Sequence, residues 1–305
     1  MIARGNRHMR TISSKQEDKR RLYKRFAGLS LHDKPRSGIG RLSWLLVLAC
    51  WILVWQLAYW LVHQDFLLAS PAQVFDSLAH MLMTRAFWLS VLFSMLRIQA
   101  GYLLGMVVGT GLAILTVRIH WLHRLFHPVI GAIRATPVAS FIILTLVWMS
   151  SSRVVIFIVF LMVLPIVWSN VAEGIRKTDP KLLEMAFVFH LSKNQIIRQI
   201  YLPSVAPFFV TAATSSLGLG WKAGVAAEVL GRPSFSLGGS LYDAKIYLAT
   251  SDLFAYTCVV IILSLILERL LVWIFRHAGH PLVRHDDRQS EKRDSRDEGK
   301  EVSVP

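Results

Sequence analysis

Residues 88–117 read WLSVLFSMLRIQAGYLLGMVVGTGLAILTV, thirty positions with a single charged side chain, Arg97. About twenty predominantly apolar residues suffice for a helix to cross a bilayer, and a core helix of a soluble domain keeps one polar face that this stretch lacks. Scanned outward with the same window, the chain shows five further blocks of this kind, at residues 43–63, 129–149, 154–171, 207–230 and 253–275. Composition agrees: 54% of the 305 residues are hydrophobic and 17% charged, against about 25% charged in typical soluble chains. A soluble fold is excluded. The class expected is all-α, a polytopic membrane protein of about six transmembrane helices.

Three segments between the blocks have a character of their own. Ser70-Pro71 opens an amphipathic stretch in which Val74, Leu78, Met81 and Leu82 recur at helical spacing, which predicts a surface helix and not a span. Residues 172–202 form a polar excursion with Glu173, Arg176, Lys177, Asp179, Lys181, Glu184, Lys193 and Arg198. Residues 231–245, GRPSFSLGGSLYDAK, read as a Gly/Ser-rich loop.

Net charge is +15, and most of the excess precedes the first block: residues 1–41 hold twelve Lys/Arg against three Asp/Glu. Six spans put both ends on one side, and the segments that would share that side hold Arg118, Arg124, Arg176, Lys177, Lys181, Lys193 and Arg198. The other connections carry only Arg85, Arg153, Arg232 and Lys245. The asymmetry predicts both termini in the cytoplasm, with the basic tail against the lipid bilayer surface. Nucleic-acid binding, the rival reading of such a tail, finds no recognition motif, and no nucleic-acid partner is expected. The expected organisation is a basic tail over 1–41, a transmembrane domain over 42–276 and a mixed-charge tail over 277–305. Both tails are too poor in apolar residues to fold alone.

Motifs for enzymatic chemistry are missing: there is no phosphate-cradling G-x-x-x-x-G-K-[ST], no H-E-x-x-H and no G-x-S-x-G. Cys50 and Cys258 lie in separate apolar blocks and suggest neither a disulfide framework nor a metal site. His120, His123 and His127 share one helix face, but their basic surroundings fit solvated or interfacial side chains, and no metal is expected. Gly101, Gly105 and Gly109 form a small-xxx-small series for close helix packing within the subunit. Charges inside a span cost about 2.5–3.5 kcal/mol each, so Arg97, Lys222 and Glu228 are candidates for a polar translocation path, with Arg134 near the start of the third span. Snorkelling to the interface is the competing reading for Arg97 and Glu228. Lys222 and Glu228 are six positions apart and project roughly 120° from each other, so each needs a partner elsewhere.

The polar excursion is the most specific part. Glu184-Met185-Ala186, three residues, His190-Leu191-Ser192, then Ile200-Tyr201-Leu202-Pro203 resembles the "EAA" loop of ATP-binding-cassette importer permeases, the binding-protein-dependent inner-membrane component family. That family's pattern is E-A-A, three residues, G, nine residues, I-x-L-P. Met185 stands where the pattern has Ala, and His190 where it has Gly, a residue that adopts positive φ without a Cβ clash. Ser70-Pro71, Arg134-Ala-Thr-Pro137, Pro165-Ile166, Glu173-Gly174-Ile175-Arg176 and Ala226-Ala227-Glu228 resemble the branch importing sulfonates, taurine, nitrate, bicarbonate or thiamine-precursor pyrimidines.

The resemblance implies short coupling helices over residues 173–203, in a permease subunit of a bacterial cytoplasmic (inner) membrane importer. The partners it implies are a second permease copy, two copies of a cytoplasmic ATPase subunit and an extracytoplasmic solute-binding protein. No cofactor is expected on this chain: ATP and Mg belong to the ATPase, and so does hydrolysis. The alternative is an ion-coupled secondary transporter, motivated by Arg97, Lys222 and Glu228 and disfavoured by six spans without an internal repeat. A membrane scaffold recruiting partners through the basic tail is a third reading, supported by residues 1–41 alone.

Overall fold

The computed structural model describes residues 39–64 and 66–278, so residues 1–38 and 279–305, which hold almost all of both charged tails, lie outside it. The chain divides into two compact units at Trp60–Leu61. The described part of the first is helix α1 (Ile39–Val62) up to Trp60. The second contains α2 (Pro71–Leu82), α3 (Arg85–Arg118), α4 (His120–Ala135), α5 (Val138–Leu146), α6 (Ser151–Arg176) and α7 (Pro180–Val188). It continues through α8 (Lys193–Ile196), a π-helical turn (Ile197–Tyr201), α9 (Leu202–Gly231), α10 (Leu237–Ile246) and α11 (Thr250–Ala278). No strand occurs among the described residues.

Four continuous helices of the second unit are long and apolar enough to cross a membrane: α3, α6, the run Lys193–Gly231 and α11. The third expected span, residues 129–149, differs from its one-piece reading. It is broken between α4 and α5 by a 99° bend. The cause is Pro137, which lacks an amide donor and disfavours helical ψ at the residue before it; Thr136 accordingly sits at ψ 132°. Pro165, by contrast, is absorbed inside α6, as membrane helices permit.

Helix α6 forms the centre. A Cβ on Gly105 of α3 would lie 2.7 Å from Val163 Cβ and one on Gly109 3.0 Å from Val167 Cβ, while one on Gly101 would collide with the Ile156 carbonyl. The three glycines therefore bring the two backbones together, and their rising register shows α3 and α6 running parallel. Gly220 and Gly224 of α9 meet Val163 and Val159 from another side in falling register, so α9 is antiparallel to α6. Parallel α3 and α6 require the intervening α4–α5 pair to return across the bundle, which makes it one broken crossing.

Polar side chains tie the layers. Tyr102 donates to the Ala213 carbonyl at 3.0 Å, Trp221 Nε1 to the Val260 carbonyl at 3.2 Å, and Trp168 Nε1 to Thr116 Oγ1 at 2.9 Å. His123 stacks on Trp168 with ring centroids 5.4 Å apart, and no metal-holding group of His, Cys, Asp or Glu occurs among the described residues. Arg134 Nη2 donates to the Pro165 carbonyl at 2.7 Å and to Ser169 Oγ at 2.8 Å, placing the α4–α5 break at the level of mid-α6. The amphipathic segment is helix α2. Its capping box has Gln73 N–H donating to Ser70 Oγ at 3.2 Å and Ser70 N–H to Gln73 Oε1 at 2.8 Å.

Candidate functional site

At the end of the bundle where α3 and α6 finish, the chain leaves α6 and turns twice before entering α9. Asp179 caps α7 by accepting the Lys181 N–H at 2.9 Å, and Pro180 takes the first helical position, where its missing donor costs nothing. Glu184 and Met185 face solvent, Ala186 is wholly buried, and Phe187, Val188 and Phe189 are each at least 70% exposed. The helix stops in a Schellman turn: Leu191 N–H donates to the Ala186 carbonyl at 3.0 Å and His190 N–H to the Phe187 carbonyl at 3.1 Å.

His190 adopts the left-handed conformation this turn needs, with φ 50°. The position at which the motif has Gly thus keeps the backbone that Gly favours, at a cost of about 1 kcal/mol for a residue with a Cβ. Leu191 follows half-buried, and Ser192 starts α8 with a second capping box, accepting the Gln195 N–H at 3.4 Å while Gln195 Oε1 accepts the Ser192 N–H at 2.8 Å. The π-helical turn comes immediately ahead of Pro203, whose absent amide leaves the Gln199 carbonyl without its usual donor. Ile200 is buried there and Leu202 exposed. The result is a short, doubly capped helix pair, joined without slack to α6 and α9, that leaves apolar side chains exposed.

The charges within the spans are arranged as their sequence positions do not reveal. Glu228 is 0% exposed, and Arg97, with an 11% exposed side chain, places Nη1 3.5 Å from Glu228 Oε1. Glu228 Oε2 accepts from Ser94 Oγ at 2.7 Å and from the Gly238 N–H at 3.1 Å. Ser94 Oγ in turn accepts the Leu237 N–H at 2.9 Å. The Arg97 guanidinium donates to the Ser234 and Phe235 carbonyls at 2.7 and 3.0 Å. A Cβ on Gly238 would stand 2.5 Å from Glu228 Cβ, so a glycine there is what lets the amide reach the carboxylate. Arg97 and Glu228 therefore face each other inside the bundle and pin the turn between α9 and α10. Lys222 is exposed on α9 and has no hydrogen-bond or ion-pair partner among the described residues.

The loop 231–245 is also more ordered than its composition suggests. Ser236 caps α10 by accepting the Gly239 N–H at 3.1 Å, and Leu237 is fully buried.

Residues 101–279, more than half of the chain, match the family described as binding-protein-dependent transport system inner membrane component. The chain belongs to that family. The permease is 30% identical over 194 residues to the nitrate import permease protein NrtB of Synechococcus elongatus, covering 62% of this chain and 68% of that one. It is 25% identical over 191 residues to the bicarbonate transport system permease protein CmpB of the same organism, with the same shares covered. With the putative aliphatic sulfonates transport permease protein SsuC of Bacillus subtilis it shares 27% identity over 229 residues, 74% of this chain and 83% of that one. Among solved structures, an inward-facing conformation of the MetNI methionine ABC transporter has a chain that superposes with TM-score 0.52 at 19% identity, covering 66% of this chain and all of that chain. That likeness establishes the shared fold.

Of the residues the sequence singled out, the permease brings Glu184 through Ser192 into one capped hairpin and seats Gly101, Gly105 and Gly109 against α6. It joins Arg97 to Glu228 and leaves Lys222 apart. Ser94 and Gly238 escaped the sequence reading. Ser94 lies one helical turn from Arg97, a local hint that a polar face was needed there.

Proposed function

We propose that this permease forms the solute path of an ATP-binding-cassette importer and couples it, through α7 and α8, to a separate cytoplasmic ATPase. The observation that carries the coupling role is the α7–α8 hairpin: a rigid projection, capped at both helix starts, whose exposed Met185, Phe187, Val188 and Phe189 suit an apolar cleft on a soluble partner. A lever fixed to α6 and α9 transmits a displacement of that partner to both spans at once.

In this reading the α7–α8 end is cytoplasmic, both termini share that side, and the membrane is the bacterial inner membrane. Two ATPase copies, a second permease copy and an extracytoplasmic binding protein complete the assembly. ATP and Mg bind on the ATPase and hydrolysis occurs there. The exposed face of α9 lines the path. The ion-coupled carrier loses its main motive, because two of its three intramembrane charges are engaged with each other.

Deleting residues 184–192 is expected to abolish ATP-driven uptake in vesicles while the protein still inserts and is extracted folded. Uptake at the undeleted rate would overturn the coupling role.

A further inference from the structure

Helix α4 turns a basic face and an apolar face outward side by side. At about 3.6 residues per turn, His120, His123, Arg124, His127, Gly131 and Arg134 fall within one arc of about 100°. Trp121, Leu125 and Val129, each exposed, form the adjoining arc. Ile130 is buried, and Phe126 and Ile133 are half-buried, so the remaining side is the one that packs on the bundle. A helix crossing the bilayer beside lipid carries apolar residues over its whole outer surface. Polar and apolar arcs shown together belong to a helix lying where water meets acyl chains.

Its contacts place it there. Arg118 and Arg176 are the last residues of α3 and α6, so α4 begins at that end of the bundle. His123 meets α6 at Trp168 and Arg176, and Arg134 meets it at Pro165 and Ser169. Eleven positions of α4, about 16 Å, therefore cover roughly half that distance along α6, and α4 runs obliquely. Charge is unbalanced where it starts. Arg176 Nη2 lies 3.3 Å from His123 Nδ1, and the His123 and His127 rings are 5.7 Å apart. Among the described residues no carboxylate pairs with Arg118, Arg124 or Arg176. The one acid on α3, α4 and α6 is Glu173, held by Lys177 at 2.8 Å. Basic groups gathered this closely without an acid repel one another, and an anion between them removes that cost.

We propose that the basic arc of α4, together with Arg176, seats the phosphate of an anionic phospholipid in the leaflet at this end of the bundle. The apolar arc decides for a lipid over a dissolved anion. A phospholipid brings a phosphate and acyl chains to one place, and Trp121, Leu125 and Val129 lie beside the basic arc, where those chains run. Trp121 holds the level, as indole rings do at membrane interfaces. Seated there, the lipid braces the α4 limb of the broken crossing against Arg176, the residue that ends α6 before the chain turns towards α7.

The test uses the full-length permease with its accompanying subunits in phosphatidylcholine vesicles, carrying Cys50→Ser, Cys258→Ala and a fluorophore on Leu125→Cys. Quenching by a spin-labelled phosphatidylglycerol is compared with quenching by the matching phosphatidylcholine. Phosphatidylglycerol is expected to be preferred by about tenfold, and the preference to fall about fivefold when Arg124→Gln or Arg176→Gln is added. Both side chains are exposed, so neither change threatens folding. Equal quenching by the two lipids, or a preference that both substitutions leave intact, overturns the seat. Quenching by neither lipid, while the same label on Leu265→Cys of α11 is quenched, shows the face covered by a second permease copy or another subunit and overturns it as well. Loss of the preference in inorganic phosphate at constant ionic strength marks a site for dissolved anions and overturns the choice of a lipid.

Discussion

Arg97→Met is expected to destabilise the bundle by about 3–5 kcal/mol, the usual cost of leaving one member of a buried ion pair without the other. Glu228 is fully enclosed, and its remaining partners, Ser94 and the Gly238 amide, both serve Oε2, so Oε1, which has no hydrogen bond, would lose the one charge that faces it. The Ser234 and Phe235 carbonyls would lose their donors in the same step, loosening the turn that leads into α10. The double variant Arg97→Met, Glu228→Gln is expected to recover most of the loss, since a neutral amide keeps the Ser94 contact without an unpaired charge. Thermal unfolding in detergent of the two singles and the double gives the coupling directly. A single Arg97→Met as stable as the parent, or strict additivity in the cycle, would show that the pair holds nothing together.

The second large effect is steric. Gly101→Ala puts a methyl group against the Ile156 carbonyl, a backbone atom that cannot rotate aside, and Gly105→Leu drives a side chain into Val163 from a starting separation of 2.7 Å. Overpacking of a tight interface costs about 1–3 kcal/mol, and the larger Gly105→Leu is expected to prevent α3 from closing on α6, with loss of folded protein on extraction. Gly111→Ala is the control: it lies on the same helix with nothing within 4 Å, and the better helix propensity of alanine makes it neutral or stabilising by up to about 1 kcal/mol. Equal behaviour of Gly101→Ala and Gly111→Ala in size-exclusion yield and melting temperature would contradict the packing described.

Much of this was legible in the sequence, because span length and apolar periodicity are local properties. The turn between α7 and α8 was legible for a different reason: its spacing fixes where one helix stops and the next starts, and His190 meets the turn's demand for positive φ although its residue type argues against it. What the sequence hid was set by contacts between distant segments. Ser94 and Glu228 are 134 positions apart, and no local signal pairs them. The helix over Leu237–Ile246 forms in a Gly/Ser-rich stretch because its glycine fits beneath a buried carboxylate, a case of packing overriding propensity. The bend in the third crossing had its cause in plain sight at Pro137, but apolar residues on both sides made two helices read as one.

Coupling through α7 and α8 requires that this chain be driven by another polypeptide. The most direct measurement is to tag the permease, extract it from its native membrane in mild detergent and identify by mass spectrometry what accompanies it. Stoichiometric recovery of an ATPase carrying a phosphate-binding G-x-x-x-x-G-K-[ST] loop is expected, and its loss when Glu184 is changed to Lys while the permease itself is still recovered. Recovery of the chain alone, with uptake in vesicles that proceeds without ATP, would contradict it.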